Sequence, residues 1–447
     1  METENDPALA TLVATTAALA ARELSARELL ASVLARIERH NPALNAVVTL
    51  DAAGAARAAA DADARRARGE RCRPLEGIPM TVKDAIETAG LRSTSGAVQL
   101  ADHLPREDAP AVARLREAGA IILGKTNVPA FATDSQTYND LFGVTVNPFD
   151  PGRTSGGSSG GAAVATATGM TVMELGTDML GSIRIPSAFC GVYGLKPTWG
   201  VVPQLGYLRD ASGGTTRDLD INVFGPLARG PRDLEVLLQV LAGRRELRPP
   251  RAARRLEEYR VGVWLADPDF PVDQEVLDVL GAAVRALEGA GVRLEEVRPC
   301  LLAEATEVLF RIVPPIGFDP GRLPLADALR RQEGLKAGWA RLFETVDVVL
   351  CPVAPTVAFP HDHTPDRRQR ATIVNGAARP YFEGLAWTGG TGVAHLPVVA
   401  APAGLSRSGL PVGVQVVAPI GGDLGAIRFA ELLAEVCGGY VVPPMCR

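Results

Sequence analysis

Residues 153–198 read RTSGGSSGGAAVATATGMTVMELGTDMLGSIRIPSAFCGVYGLKPT. Four glycines and two serines fill Gly156 to Gly161. Glycine reaches backbone angles closed to other residues and lets N–H groups approach a ligand. A small-residue segment follows, Ala162 to Gly169, and then the apolar run Met170 to Leu175, which reads as a buried strand. From there the chain is expected to turn through Gly176 to Gly181 and present Ser182. Two glycine-flanked serine sites, Ser158 with Ser159 beside it and Ser182, are thus joined by one tight helix-and-strand unit. A flexible linker is not followed at once by a buried pattern. A phosphate cradle would need Gly-Lys-Ser/Thr after the glycines, which is missing. Gly156 to Gly160 fits G-x-S-x-G, but an elbow of that kind follows a strand, and here two prolines, Pro148 and Pro151, precede it. That alternative would make Ser158 the nucleophile and a histidine such as His395 its base.

A nucleophilic serine needs a base. The chain has five histidines, and of its 46 basic residues only Lys83, Lys125, Lys196 and Lys336 are lysine. Arginine does not give up its proton, so a lysine in so arginine-rich a chain marks a place where arginine would fail. Lys83 ends the apolar run Ile78 to Val82, and Lys125 follows the short strand Ile121 to Leu123. Lys83 is the first candidate base and Lys125 the second.

Gly77-Ile78-Pro79 with Val82-Lys83-Asp84, then GGSSGG, then GTDMLGSIRIPSAFCGVYGLKPT resemble the amidase signature family. The resemblance implies a triad with Lys83 as base, Ser158 as the serine after a cis peptide bond, and Ser182 as nucleophile, twenty-four residues beyond Ser158. It also implies an oxyanion hole from the backbone N–H groups of Met179, Leu180, Gly181 and Ser182, with Asp178, Arg184 and Ser159 in support. Positions 179 and 180 depart from the family pattern, which has a small polar residue or isoleucine and then glycine. Met179-Leu180 narrows the site, and the pocket is expected to suit an apolar or slender acyl group.

The 447 residues and the net charge of −5 suit a large soluble core and argue against a nucleic-acid surface. No apolar run is long enough for a membrane span. METENDPALA lacks the basic region of a secretory signal. Six scattered cysteines without a C-x-x-C pair read as reduced and cytoplasmic. Cys190 reads as a buried structural thiol, Lys196 as a support of the fold, and His361-Asp362-His363 as too sparse for a metal centre.

Strand and helix alternate along the chain, which predicts an α/β fold: a central mixed, largely parallel sheet flanked by helices on both faces. Helices are expected over Ala8–Ala21, Ser25–His40 (with a Ser25/Glu28 capping box), Asp51–Gly69 and Pro110–Ala118. A surface crossover is expected over 242–253 and a polar loop over 361–379. Residues 1–447 read as one domain, with the signature core at about 75–200. A shortened cap is expected at about 240–346, where Val313-Pro314-Pro315 leads quickly into a helix. The leading expectation is a cofactor-independent amidase acting on a small-molecule carboxamide, as a homodimer by family resemblance. Two alternatives share the site: acyl transfer to an amine, and the amidase subunit of a tRNA-dependent amidotransferase.

Overall fold

The computed structural model describes residues 6–249, 255–313 and 323–446. Its strands are β1 (Val47–Leu50), β2 (Pro79–Lys83), β3 (Ile121–Thr126), β4 (Tyr138–Asn139), β5 (Gly143–Val144), β6 (Glu174–Asp178), β7 (Tyr193–Lys196), β8 (Val223–Ala228), β9 (Arg260–Val263), β10 (Arg293–Glu296), β11 (Val348–Pro352), β12 (Ala371–Val374), β13 (Ala377–Pro380), β14 (Val398–Leu405) and β15 (Pro411–Val417). Eleven of them form one sheet in the order β1-β3-β2-β6-β8-β7-β14-β15-β11-β9-β10, flanked by helices. The mixed α/β architecture is the one expected.

Parallel pairing is less common than expected. It is confined to two wings, β3-β2-β6 and β11-β9-β10. The centre of the sheet is antiparallel. The physical reason lies in the connections. No helix intervenes between β7 and β8 or between β14 and β15, and antiparallel neighbours need no helical crossover. The wings do follow the strand–helix alternation that the sequence displays.

β2, β3, β6, β8 and β15 are buried along their whole length. β6 runs through Glu-Leu-Gly-Thr-Asp, so it escapes a search for apolar runs. It starts at Glu174, four residues later than expected, and Gly176 to Asp178 belong to the strand rather than to a turn. The small residues before it have a packing reason. Helix Gly160–Thr168 lies against β2, β3, β6 and β8, and a Cβ on Gly161 would sit 2.4 Å from the Asn127 backbone nitrogen. The expected N-terminal helices form as Leu12–Ala21, Ala26–Leu44 and Ala52–Ala67, and Ser25 and Glu28 make the reciprocal capping box.

Residues 240–346 do more than cover the site: they add β9 and β10 to the sheet, together with helices Gln274–Gly289, Leu302–Ile312 and Leu325–Leu342. Pro314-Pro315 and residues 250–254 of the expected crossover lie outside the described residues. Residues 361–379, expected as a loop, contain β12 and most of β13, a hairpin whose short strands, Ala-Thr-Ile-Val and Ala-Ala-Arg-Pro, show no apolar–polar alternation. Trp264, Trp339 and Trp387 meet in the core, with ring centroids 6.1 Å apart for Trp264–Trp339 and 5.0 Å for Trp264–Trp387. Trp339 Nε1 donates to the Gly390 carbonyl at 3.1 Å, which seats helix Ala386–Gly392 beside the signature segment. Trp339→Ala removes this wedge and is expected to cost about 3–5 kcal/mol, read as a clear fall in Tm by calorimetry.

Candidate active site

Lys83 ends β2 and is fully buried. Its Nζ donates to Ser158 Oγ at 2.7 Å and to Thr177 Oγ1 at 2.7 Å, with the Thr177 carbonyl at 3.4 Å. Burial pushes the ammonium down to about 7, against the opposite pull of Asp178 and Glu174. Burial thus brings the neutral form of Lys83 within reach near neutral pH. The Gly157–Ser158 peptide bond is cis. A side chain on Gly157 would meet the Asp134 carbonyl at 2.6 Å, so only glycine fits there.

Ser182 joins the same locus from the other end of the signature segment. Its carbonyl accepts the Ser159 N–H at 3.1 Å, and Ser159 Oγ donates to the Thr177 carbonyl at 3.3 Å. Asp178 and Arg184 form a fully buried pair with two bonds, Nη2–Oδ1 at 2.8 Å and Nε–Oδ2 at 2.9 Å. Burial alone would raise the Asp178 carboxyl; the Arg184 guanidinium overrides it and holds the group well below the usual carboxylate range. Arg184 Nη1 reaches on to the Thr388 carbonyl, Thr391 Oγ1 and Gln415 Oε1 at 2.7–2.9 Å.

Asp178 also shapes the loop after β6. It accepts the N–H of Gly181 at 2.8 Å and of Ile183 at 3.1 Å. The Gly181 N–H, expected among the four oxyanion donors, is thus already engaged. Among the described residues, no acceptor takes the N–H groups of Met179, Leu180 or Ser182. Thr388 Oγ1 donates to the Leu180 carbonyl at 3.0 Å and ties this loop to helix Ala386–Gly392. Gly181 has φ 109°, and a Cβ there would strike Thr388 Oγ1 at 2.7 Å.

Ser182, Gly157 and Thr177 open on a cavity of about 300 Å³. Phe131, Met179, Leu180, Tyr207, Tyr381 and Phe382 supply most of its apolar wall. Asp134 also lines it, but its carboxylate is held by Arg370 at 2.8 Å, Arg367 at 3.2 Å and the Tyr381 hydroxyl at 2.6 Å.

The other candidates lie elsewhere. Lys125 is buried and donates to the Ile86 carbonyl, to Thr88 Oγ1 at 2.7 Å and to Ser93 Oγ at 3.2 Å, so its contacts bind loops rather than a serine of the site. Lys196 donates to the Leu396 carbonyl at 2.7 Å. Cys190 is buried and its thiol is pushed up by burial. His395 pairs with Asp220 at 2.6 Å and stacks on Trp199, away from Ser158 in its contacts. His361 and His363 are neighbours, but no group of three ligand side chains able to hold a metal occurs among the described residues. Tyr207 carries no motif that singles it out in the sequence, and Thr177 lies in the signature motif without having been assigned a role. Recognising β6 as a strand would have exposed Thr177, since it then faces the end of β2.

Asp178→Asn leaves the Arg184 charge buried without its counter-ion. The expected loss is about 3–5 kcal/mol, read by thermal unfolding, together with reduced activity because the loop after β6 loses its anchor.

The model of the Amidase family matches residues 28–318 and 322–425. A glutamyl-tRNA(Gln) amidotransferase subunit from Roseiflexus sp. (strain RS-1) is 33% identical, covering 96% of both chains. The subunit of the same name from Thermus thermophilus is 35% identical over 94% of this chain and 95% of its own. A crystal structure of an amidase superposes with a TM-score of 0.80 at 29% identity, covering 95% of this chain and 99% of that one. No helix among the described residues is long and apolar enough to cross a membrane. With the family matched along nearly the whole chain, and with Lys83 bonded to Ser158 and Ser182 lining the adjoining cavity, the chain belongs to the amidase signature family and is an enzyme of the amide-bond-cleaving class.

Proposed function

We propose that the chain hydrolyses an amide C–N bond through a serine acyl-enzyme, with Lys83 as base, Ser158 as relay and Ser182 as nucleophile. The observation that carries this reading is the 2.7 Å bond from the buried Lys83 Nζ to Ser158 Oγ, next to Gly157 and Thr177 of the cavity that Ser182 lines. Neutral Lys83 takes a proton from Ser158 while Ser158 takes one from Ser182, whose Oγ attacks the carbonyl carbon. The oxyanion is held by the N–H groups of Met179, Leu180 and Ser182. Collapse breaks the C–N bond, and the proton returns through Ser158 to the leaving nitrogen. Water then releases the acid by the same route. Each oxyanion donor of this kind contributes about 100- to 1000-fold in rate.

The apolar wall of the cavity favours a small carboxamide with an apolar acyl group. Asp134 is already neutralised by two arginines, and the remaining ionic groups in the lining, Arg209 and Asp210, are exposed. A second reading has a specific observation behind it: the Roseiflexus and Thermus relatives are amidotransferase subunits, matched over nearly their full length. On that reading the substrate is glutamine, the product ammonia, and partner subunits are required. Acyl transfer to an amine uses the same covalent intermediate and differs only in what attacks it. A single domain, action alone or as a homodimer, and a cytoplasmic location complete the leading reading. One sheet with strands from residue 47 to 417 and six unpaired cysteines support the first and last of these.

Ammonia release from aliphatic and aryl primary amides, measured beside release from glutamine, separates the readings. Turnover of apolar amides with none of glutamine is expected; glutamine as the sole substrate would overturn the leading assignment in favour of the second. Activity is expected to rise with pH through about 7 as Lys83 loses its proton, and Lys83→Ala to lower the rate roughly 10⁴-fold or more. Leu180→Gly, which widens the cavity beside Ser182, is expected to admit bulkier acyl groups; an unchanged substrate profile would sink the idea that Leu180 selects them.

A further inference from the structure

Two aromatic side chains of the cavity wall, Phe131 and Tyr207, come from loops far apart in the sequence, and one residue outside the wall holds both. Ser95 is fully buried and is not among the residues that line the cavity. Its carbonyl accepts the Phe131 N–H at 2.7 Å. Its Oγ donates to the carbonyl of Leu208, the residue after Tyr207, at 2.8 Å. Tyr207 itself bridges to Ile86, and the Leu208 N–H donates to the Ala85 carbonyl at 2.9 Å, so the whole Tyr207 arm is hung from the segment that contains Ser95.

That segment is a firm anchor. It leaves the strand that ends in Lys83, and Asp84 ties it down at once. The Asp84 N–H donates to the Thr126 carbonyl at 3.0 Å, and its carbonyl accepts the Ser95 N–H at 3.0 Å. Its carboxylate takes the N–H of Thr94 at 3.1 Å and of Gly96 at 3.4 Å, one on each side of Ser95. The buried Lys125, which the mechanism does not use, holds the Ile86 carbonyl and the hydroxyls of Thr88 and Ser93. Ser95, Phe131 and Ala132 have φ of 50°, 51° and 55°, a region that side chains other than glycine avoid. Such backbone persists only where its surroundings impose it, and it gathers at ligand sites. Here the imposing contact on Phe131 is the bond to Ser95.

We propose that Ser95 is a positioning residue that determines substrate breadth: its carbonyl holds the Phe131 loop, its hydroxyl holds the Tyr207 loop, and together they fix how wide an acyl group reaches Ser182. Without the hydroxyl the two arms part to admit a broader group, while the Tyr207–Ile86 bridge keeps the second arm folded.

The proposal rests on the cavity being the acyl site of a Ser182 nucleophile, and the test separates the two. The full chain is treated with two fluorophosphonates, one carrying a linear butyl group and one a phenyl group. In each reaction the serine oxygen bonds to phosphorus, fluoride leaves, and the serine proton passes to the base. KI and kinact are measured for both probes, and the modified peptide is mapped. The wild type is expected to react at Ser182 and to favour the butyl probe. In Ser95→Ala the ratio of kinact/KI, phenyl over butyl, is expected to rise about tenfold, the worth of roughly one methylene of room in an apolar pocket. The change is expected in KI for the phenyl probe, with kinact for the butyl probe unaltered. If Ser95→Ala does not fold, Ser95→Gly also lacks the hydroxyl and accepts the positive φ freely, with the same shift expected. An unchanged ratio, or a kinact lowered equally for both probes, overturns the role of Ser95 and leaves the nucleophile standing. A wild type left unmodified at Ser182 overturns the nucleophile and the proposal with it.

Discussion

A lysine with no water around it must find its hydrogen-bond partners in the protein, and the region around Lys83 is arranged to provide them. β2 delivers the ammonium-bearing chain from one side, β6 offers Thr177, and the cis peptide at Gly157–Ser158 turns a hydroxyl toward it. Burial makes the neutral form accessible near pH 7, which an exposed lysine would reach only about three units higher. The cost of burying charge nearby is offset locally, since Asp178 and Arg184 neutralise one another in a two-bonded pair. The same pair fixes the loop that carries Met179, Leu180 and Ser182, so the electrostatics and the geometry of the site rest on one contact.

Much of this was legible in the sequence because small residues are hard to explain otherwise. The glycines of 156–161, the serines at 158 and 182, and the scarcity of lysine drew attention to these positions. The structure brings Lys83, Ser158, Ser159, Asp178, Ser182 and Arg184 together, and leaves Lys125, Cys190 and His395 with structural contacts. What stayed hidden has a common cause. β6 is a buried strand written with Glu, Gly, Thr and Asp, so apolar patterning placed it too early and its register could not be read. With the register went Thr177 and the engagement of the Gly181 N–H. The antiparallel centre of the sheet was hidden because pairing direction depends on connections through loops, to which periodicity is blind.

Family and substrate are separate questions here. The fold is shared with a solved amidase, whereas the cavity is built by residues from several distant segments, Phe131, Tyr207 and Tyr381 among them. Its wall is apolar where Met179 and Leu180 stand. The curated relatives are named as amidotransferase subunits, and a binding surface for glutamine would call on ionic partners that this lining offers only at exposed positions.

The central claim is that Ser182, and not Ser158, is the residue that attacks. Peptide mapping by mass spectrometry after fluorophosphonate treatment tests it most directly. Phosphonylation on the peptide carrying Ser182, lost in Ser182→Ala and accompanied by an untouched Ser158, is the predicted result. Modification of Ser158 with Ser182 left free would contradict the assignment and return the chain to an elbow-type serine with a different base.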